Sequence, residues 1–300
     1  MGFSEETKRE LAHVYPETNC CRLAELSAYY DFNGYHFGSY LDINHFMPLI
    51  ARKILTLTKQ VFPEAATQVL VQKARARKNQ VCTVRVLTKQ AAEEFYQALR
   101  DQDYLDDDKK VLAKNCCQRA YVRGAFLSHG SVTNPERTYH LEIFTEKSEV
   151  AERVLLTINS LGLSARMTGR KGDLVVYLKD GDQIVTLLNL MGAHKALLHV
   201  ENVRIVKDMR NQVNRLVNCE TANVDKTIKA AVAQIEAVEK IQKHMDLSEL
   251  PPKMAEIARL RVENPYASLK ELGEMAEPPI SKSGVSYRIQ QLINMSKSLD

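Results

Sequence analysis

The sequence predicts an α+β protein, a duplicated αββαββα unit followed by an all-α region, and three observations carry that prediction. Cys20-Cys-Arg-Leu-Ala24 returns as Cys116-Cys-Gln-Arg-Ala120, and Gly34 returns as Gly130, each pair 96 positions apart. One offset held over such a stretch is the mark of an internal repeat. After each glycine, strand-like alternation and helix-like spacing follow in the same order. From residue 225 onward only helical spacing remains.

In the first copy Leu23, Leu26, Ser27 and Tyr30 recur at helical spacing up to Asn33-Gly34, where a glycine in the left-handed conformation is expected to end the helix. Ala120, Gly124, Leu127 and Ser128 repeat the rhythm before Gly130. Extended sequence comes next, at 35–43 and 139–144. Helices are expected at 48–59 and 149–161. A hairpin closes each copy, 69–77 turning into 81–86 and 165–168 turning into 174–178, and helices at 91–100 and 183–190 finish them. The acidic stretch 101–108 is the expected bridge. Small residues at matched places, Ala24/Ser27/Ala28 and Ala120/Gly124/Ala125, allow the two first helices to pack closely about a pseudo-two-fold axis.

At 300 residues the chain has room for about two domains of roughly 150. A hydrophobic content of 45% supports a core, and 26% charged residues exclude a fibrous or low-complexity chain. Lys and Arg total 41 against 37 acidic residues, so the net charge of +4 is mild. No apolar run approaches the ~18 residues of a membrane span. The acidic start, Met1 to Glu6, lacks the pattern of a secretory signal, and Glu6 stands where an acylation motif would want Ser or Thr. Six cysteines are too few for a disulfide scaffold. The vicinal pairs depart from the usual C-x2-4-C zinc spacing, so they are read as small buried hydrophobes. No cofactor and no metal site are expected.

Positive charge is concentrated. From Ala65 to Ala92 there are six basic residues and no acidic one. Lys73, Arg75 and Arg77 alternate, so on a strand they share a face, and Arg166, Arg170 and Lys171 stand in the second hairpin. Such a face suits phosphate contact with a steep salt dependence. The plainer reading is an edge strand guarded against aggregation.

The segment 201–224 is rich in Asn and Arg, with Arg204, Lys207, Arg210 and Arg215 as its four basic residues. It is expected to be a linker helix touching phosphates or the other domain, against the plainer reading of a solvated amphipathic connector. Asp225 is read as an N-cap, with Ile228, Val232, Ile235, Val238, Ile241 and Met245 as the buried stripe. Pro251-Pro252 starts a helix carrying Met254, Ile257, Ala258 and Arg261. Ser268 and Glu271 form a capping box for Leu269–Met275. Glu277-Pro-Pro-Ile280 is the turn, and Ser281 or Ser283 opens the last helix, which buries Val285, Ile289, Leu292 and Ile293. Its exposed face offers Lys282, Ser283, Ser286, Tyr287, Arg288, Gln290 and Gln291. With Ser268 and Lys270 these are the candidate DNA contacts of a helix-turn-helix at about 268–300. The same bundle could serve as a protein-docking adaptor.

The duplicated unit with its small-residue helices 24–34 and 121–130 resembles the LAGLIDADG homing-endonuclease fold, in which paired helices form the interface and the sheets straddle DNA. Those nucleases need a carboxylate before the final glycine of each helix. Asn33 and His129 stand there instead. Hard divalent cations prefer charged oxygen ligands, and Asp31 is about 200° around the helix from position 33. No catalytic residues are therefore assigned, and Asn33 and His129 are read as C-terminal capping and dipole compensation.

The whole chain further resembles the WhiA family of bacterial sporulation and cell-division regulators. The carrying residues are Tyr139–Phe144, Met191–His194, Val203–Arg210, Asn214–Asn223, Leu269–Met275 and Ser281–Gly284. The resemblance implies an inactive LAGLIDADG-like domain at 1–200, with halves at about 1–105 and 106–200, the linker helix at 201–224 and a helix-turn-helix domain at 225–300. It implies a non-enzymatic, sequence-specific DNA-binding protein acting in cell division and chromosome segregation, and in sporulating relatives in developmental gene control. The expected partner is double-stranded DNA, with other transcription regulators as a further class. No membrane partner and no small-molecule substrate are expected, and the expected place is cytoplasmic and nucleoid-associated. The alternative is a LAGLIDADG-type nuclease or maturase.

Overall fold

The computed structural model describes residues 2–73, 80–87, 89–100, 111–170 and 172–299 and divides into two compact units, Met1–Val206 and Lys207–Asp300. No described helix is long and apolar enough to cross a membrane.

Unit 1 begins with helix α1 (Phe3–Leu11), which the repeat did not reveal. The first copy then runs α2 (Asn19–Asn33), β1 (Gly34–His36), β2 (Leu41–His45), α3 (Pro48–Val61), β3 (Thr67–Lys73), β4 (Gln80–Val86) and α4 (Lys89–Arg100). The second runs α5 (Asn115–His129), β5 (Gly130–Val132), β6 (Leu141–Thr145), α6 (Ser148–Ser160), β7 (Arg166–Arg170), β8 (Asp173–Leu178) and α7 (Gly181–Met191). Both copies are αββαββα, as the sequence predicts. Each sheet is antiparallel with the same order, β1-β2-β4-β3 and β5-β6-β8-β7. Proline at the start of α3 costs no helical hydrogen bond there.

One face of each sheet is buried against helices. Leu41, Ile43, Val84 and Val86 do this in the first copy, and Leu141, Ile143, Val176 and Leu178 in the second. Where α2 crosses α5, a Cβ added to Gly124 would stand 2.7 Å from the Glu25 carbonyl and 2.8 Å from the Ala28 methyl. The small residues do bring the backbones together.

The glycines after α2 and α5 are not left-handed. Gly34 (φ −90°) and Gly130 (φ −84°) are extended, because each helix runs straight into a strand instead of reversing. Glycine fits there for a steric reason: a Cβ would overlap the ring of Tyr30 or Phe126 and lie 2.6 or 2.7 Å from the same residue's carbonyl oxygen.

Helix α8 (His194–His244) is 51 residues long. The helix start expected at Asp225 does not occur, because no Gly or Pro interrupts 194–244 and Asp225 is an interior position. The 201–224 segment lies inside this helix, and the boundary between the units falls within it. Unit 2 adds α9 (Pro252–Glu263), α10 (Leu269–Met275) and α11 (Lys282–Lys297) around a core of Val238, Ile241, Ile257, Leu272, Val285, Ile289 and Leu292. Ser268 and Glu271 form the capping box and Ser281 caps α11. The Gly273 carbonyl accepts from the Ile280 amide at 2.9 Å, and a Cβ on Gly273 would overlap the Ile280 carbonyl, which keeps α10 tight against the turn.

Candidate nucleic-acid interface

Helix α11 places its apolar residues inward and leaves Lys282, Ser283, Ser286, Tyr287 and Gln290 exposed. These positions are three and four apart, so they form one stripe over the first two turns. Gln290 donates to Asn294 at 3.1 Å, and Gln291, half-buried, donates to the Tyr287 hydroxyl at 3.0 Å. Arg288 departs from the sequence expectation. It is half-buried and its Nη1 donates to the Gly284 carbonyl of its own helix at 3.0 Å. Lys270 is exposed beside Glu274 at 3.7 Å.

Beside the start of α11 lies a groove of about 380 Å³, lined by Lys226, Thr227, Gln234, Arg261, Ser268, Lys270 and Lys282 among others. Four of these are cationic and none is acidic. Arg261 is 2% exposed. Its Nη1 donates to the Ala267 carbonyl at 2.8 Å, and burial lowers its pKa. Sequence reasoning put Arg261 on α9 but did not see Lys226 or Gln234 joining it, because they come from α8.

In unit 1 the sheet faces away from the helices are polar. On the second sheet Arg166 and Arg170 pair with Tyr177 and Asp173 and so share the face of Glu142. Arg170 lies 3.9 Å from Glu142, which also takes Ser131 at 3.2 Å and His140 at 3.1 Å. On the first sheet this face carries Asp42, Asn44, Thr83 and Arg85. Arg85 is held by both Asp42 oxygens at 2.7 and 2.8 Å and lies over the Tyr40 ring at 4.1 Å. Position 73 pairs in register with Gln80 at the end of the β3–β4 ladder. Arg75 and Arg77, like Lys171, lie outside the described residues.

On α8, Arg210 and Arg215 are exposed, within a run exposed on every side from 208 to 230. Lys207 is half-buried. Arg204 is spoken for, pairing with Asp182 at 2.5 Å and Glu201 at 3.0 Å. The segment is thus a solvated helix whose first arginine fastens α8 to α7.

The helix ends expected to lack catalytic carboxylates carry Asn33 and His129. Asp31 is engaged by Arg153 at 2.6 Å and by the Tyr121 hydroxyl at 2.7 Å. His129 stacks on Phe144 at 5.1 Å and meets Phe32 edge-on at 5.4 Å. Burial lowers its pKa and the Lys8 charge adds to the effect. A lowered pKa works against the dipole-compensation reading, which needs a cation.

Beneath this region a buried ionic cluster joins the copies. Glu25 accepts from Lys53 at 2.6 Å, from Arg123 at 2.8 and 3.0 Å, and from the Tyr29 hydroxyl at 3.0 Å. Lys53 also donates to the Leu11 carbonyl and Arg123 to the Met191 carbonyl. Burial alone would raise Glu25; the Lys53 and Arg123 charges outweigh it and hold the carboxylate down.

Fold and site together define a protein with two LAGLIDADG-like α/β repeats followed by a helical helix-turn-helix domain. Three family descriptions match in order: the WhiA N-terminal LAGLIDADG-like domain at 19–100, the WhiA LAGLIDADG-like domain at 118–210 and the WhiA C-terminal HTH domain at 213–296. The chain belongs to the WhiA family. It is 43% identical over 309 residues to a protein of Heliobacterium modesticaldum named probable cell division protein WhiA, covering 99% of this chain and 97% of that one. A protein of the same name from Desulforamulus reducens is 44% identical over 310 residues, covering 100% and 96%. The full-length WhiA crystal structure from Thermatoga maritima has the same fold, with a TM-score of 0.63 at 23% identity and 99% coverage of both chains.

Proposed function

We propose that this chain is a non-enzymatic, sequence-specific double-stranded DNA-binding protein that regulates transcription in cell division and chromosome segregation, working on the nucleoid. In sporulating relatives the same device would serve developmental genes. The observation that carries the reading is the exposed polar stripe at the start of α11, flanked by a cationic groove. A recognition helix presents such residues to base edges while neighbouring cations hold phosphates. The cell-division role rests on the names of the relatives. Absence of a nuclease activity is inferred from Asn33, His129 and the engagement of Asp31.

Arg288 is tied to its own helix, so the base-reading role passes to Ser286 and Tyr287, with Lys282, Lys226 and Lys270 on phosphates. Arg166 and Arg170 would add sequence-independent grip from the second sheet. Lys73, Arg75, Arg77, Arg210 and Arg215 remain phosphate candidates in this reading. Footprinting on genomic fragments supplies a site. The Ser286→Ala/Tyr287→Ala variant should then lose about 1–3 kcal/mol on that site and little on random DNA. Neutralising Arg166 and Arg170 should weaken both equally and lower the salt slope by about two. Equal loss on both DNAs from the α11 variant would remove the recognition-helix assignment. Magnesium-dependent cleavage of duplex DNA would restore the nuclease reading.

A further inference from the structure

Four of the six cysteines converge where the two copies begin. Cys20 and Cys21 stand in the first turn of α2, Cys116 and Cys117 in the first turn of α5. Their sulfurs all lie within 4.8 Å of one another. Cys21 Sγ is 3.9 Å from Cys117 Sγ, and Cys116 Sγ is 4.0 Å from Cys117 Sγ. The reading of these residues as buried hydrophobes holds for Cys21 and Cys117 only. Cys20 is half-buried and Cys116 is exposed, so the cluster opens to solvent, where apolar burial gains little.

The spacing fits a metal. Four thiolates around zinc at about 2.3 Å form a tetrahedron with edges of about 3.8 Å. The sequence spacing argued against this because each pair is vicinal. The structure removes the objection, since each helix supplies two ligands and the pseudo-two-fold axis brings the pairs together. The surroundings favour negative charge as well. Neither Thr18 nor Lys114 makes a side-chain cap, so the positive ends of two helix dipoles stand at the site. The Thr18 hydroxyl lies 3.3 Å from Cys20 Sγ.

We propose that Cys20, Cys21, Cys116 and Cys117 form a tetrathiolate site for a thiophilic divalent ion of the zinc class, clasping the first turns of the two paired helices. Binding exchanges the four thiol protons for one M²⁺, leaves the site at −2 and changes no oxidation state. Zinc suits the sulfur set because it is borderline-soft and indifferent to geometry.

The test uses the full-length chain, reduced, freed of metal and titrated with Co²⁺. One equivalent should develop the near-ultraviolet thiolate charge transfer and visible d–d bands of tetrahedral cobalt. Zn²⁺ should abolish them stoichiometrically, and Zn²⁺ but not Mg²⁺ should raise the Tm. The Cys21→Ser/Cys117→Ser variant should lose both responses with its far-ultraviolet circular dichroism intact. The Cys82→Ser/Cys219→Ser variant should keep both. If the buried double variant does not fold, Cys116→Ser at the exposed position must show the same loss. Absence of the charge-transfer band, its persistence without Cys21 and Cys117, or closure of a Cys21–Cys117 disulfide in air with no metal uptake would each overturn the site.

Discussion

The two copies of unit 1 share every strand pairing and differ in what they bury. At matched positions the first copy has Glu25, Tyr29 and Ala28 where the second has Tyr121, Ala125 and Gly124. At the end of the second strand of each sheet, His45 stands where Thr145 stands. Both side chains accept the backbone amide two residues on, at 3.0 Å from Met47 and 3.2 Å from Lys147. The first copy therefore carries the buried acid and the buried imidazole, and the second answers across the axis with Arg123. A pairing of two first copies would set Glu25 against Ser27, the counterpart of Arg123, and lose a cation. The duplication supplies the scaffold, and the asymmetric polar groups make the copies non-interchangeable.

The sharpest way to break this comparison is at Glu25. Replacing it with Leu leaves Lys53 and Arg123 buried without their anion, which costs about 3–5 kcal/mol. That is a large part of the roughly 5–15 kcal/mol typical of a folded domain. Denaturant unfolding of Glu25→Leu measures it. The further replacements Lys53→Met and Arg123→Leu should recover much of the loss, because the cost lies in unpaired charge. A drop below about 1 kcal/mol for Glu25→Leu alone would show that water reaches the cluster.

His45 gives the next effect, and its sign is fixed by burial. Burial lowers its pKa from 6.5 to about 4, with its Nε2 3.2 Å from the Leu127 carbonyl. Nδ1 accepts from Met47, so Nε2 carries the proton of the neutral ring. The unfolded chain takes up a second proton first as pH falls. Stability from this group is complete above pH 6.5 and is lost as pH drops from 6.5 towards 4, by about 3 kcal/mol at most. His45→Thr, which borrows the second copy's residue, should flatten the fall in Tm between pH 7.5 and 5. An unchanged slope would mean that the acid sensitivity lies elsewhere.

Much of this was legible before any coordinates. The repeat could be read because Cys-Cys, the small residues and the glycine recur at one offset, and α10 and α11 because serine caps and apolar spacing are local signals. Alternation puts Lys73, Arg75 and Arg77 on one face without saying which, because that depends on the β4 residues they pair with. The ionic cluster could not be read, because Glu25, Lys53 and Arg123 meet only once three helices have packed. The same holds for the four sulfurs, whose spacing along the chain is wrong for a metal and whose spacing in space is not. Asp225 misled because an N-cap residue type needs a break before it, and α8 has none.

Gly124 offers the smallest and most local test, since two effects of opposite sign compete there. Alanine in a helix interior is favoured over glycine by about 1 kcal/mol. Here its methyl would stand 2.7 Å from the Glu25 carbonyl and 2.8 Å from the Ala28 methyl, and neither the helix backbone nor a methyl can rotate away. Overpacking of this kind costs about 1–3 kcal/mol, so Gly124→Ala should be destabilising by about 1–2 kcal/mol net. Ala28→Gly removes one of the two obstacles and leaves the carbonyl, so the double variant should recover only part of the loss. A double-mutant cycle should show a coupling above about 0.5 kcal/mol. Strict additivity would mean that the helices separate to admit the methyl, and that the close crossing of α2 and α5 owes less to glycine than to the residues around it.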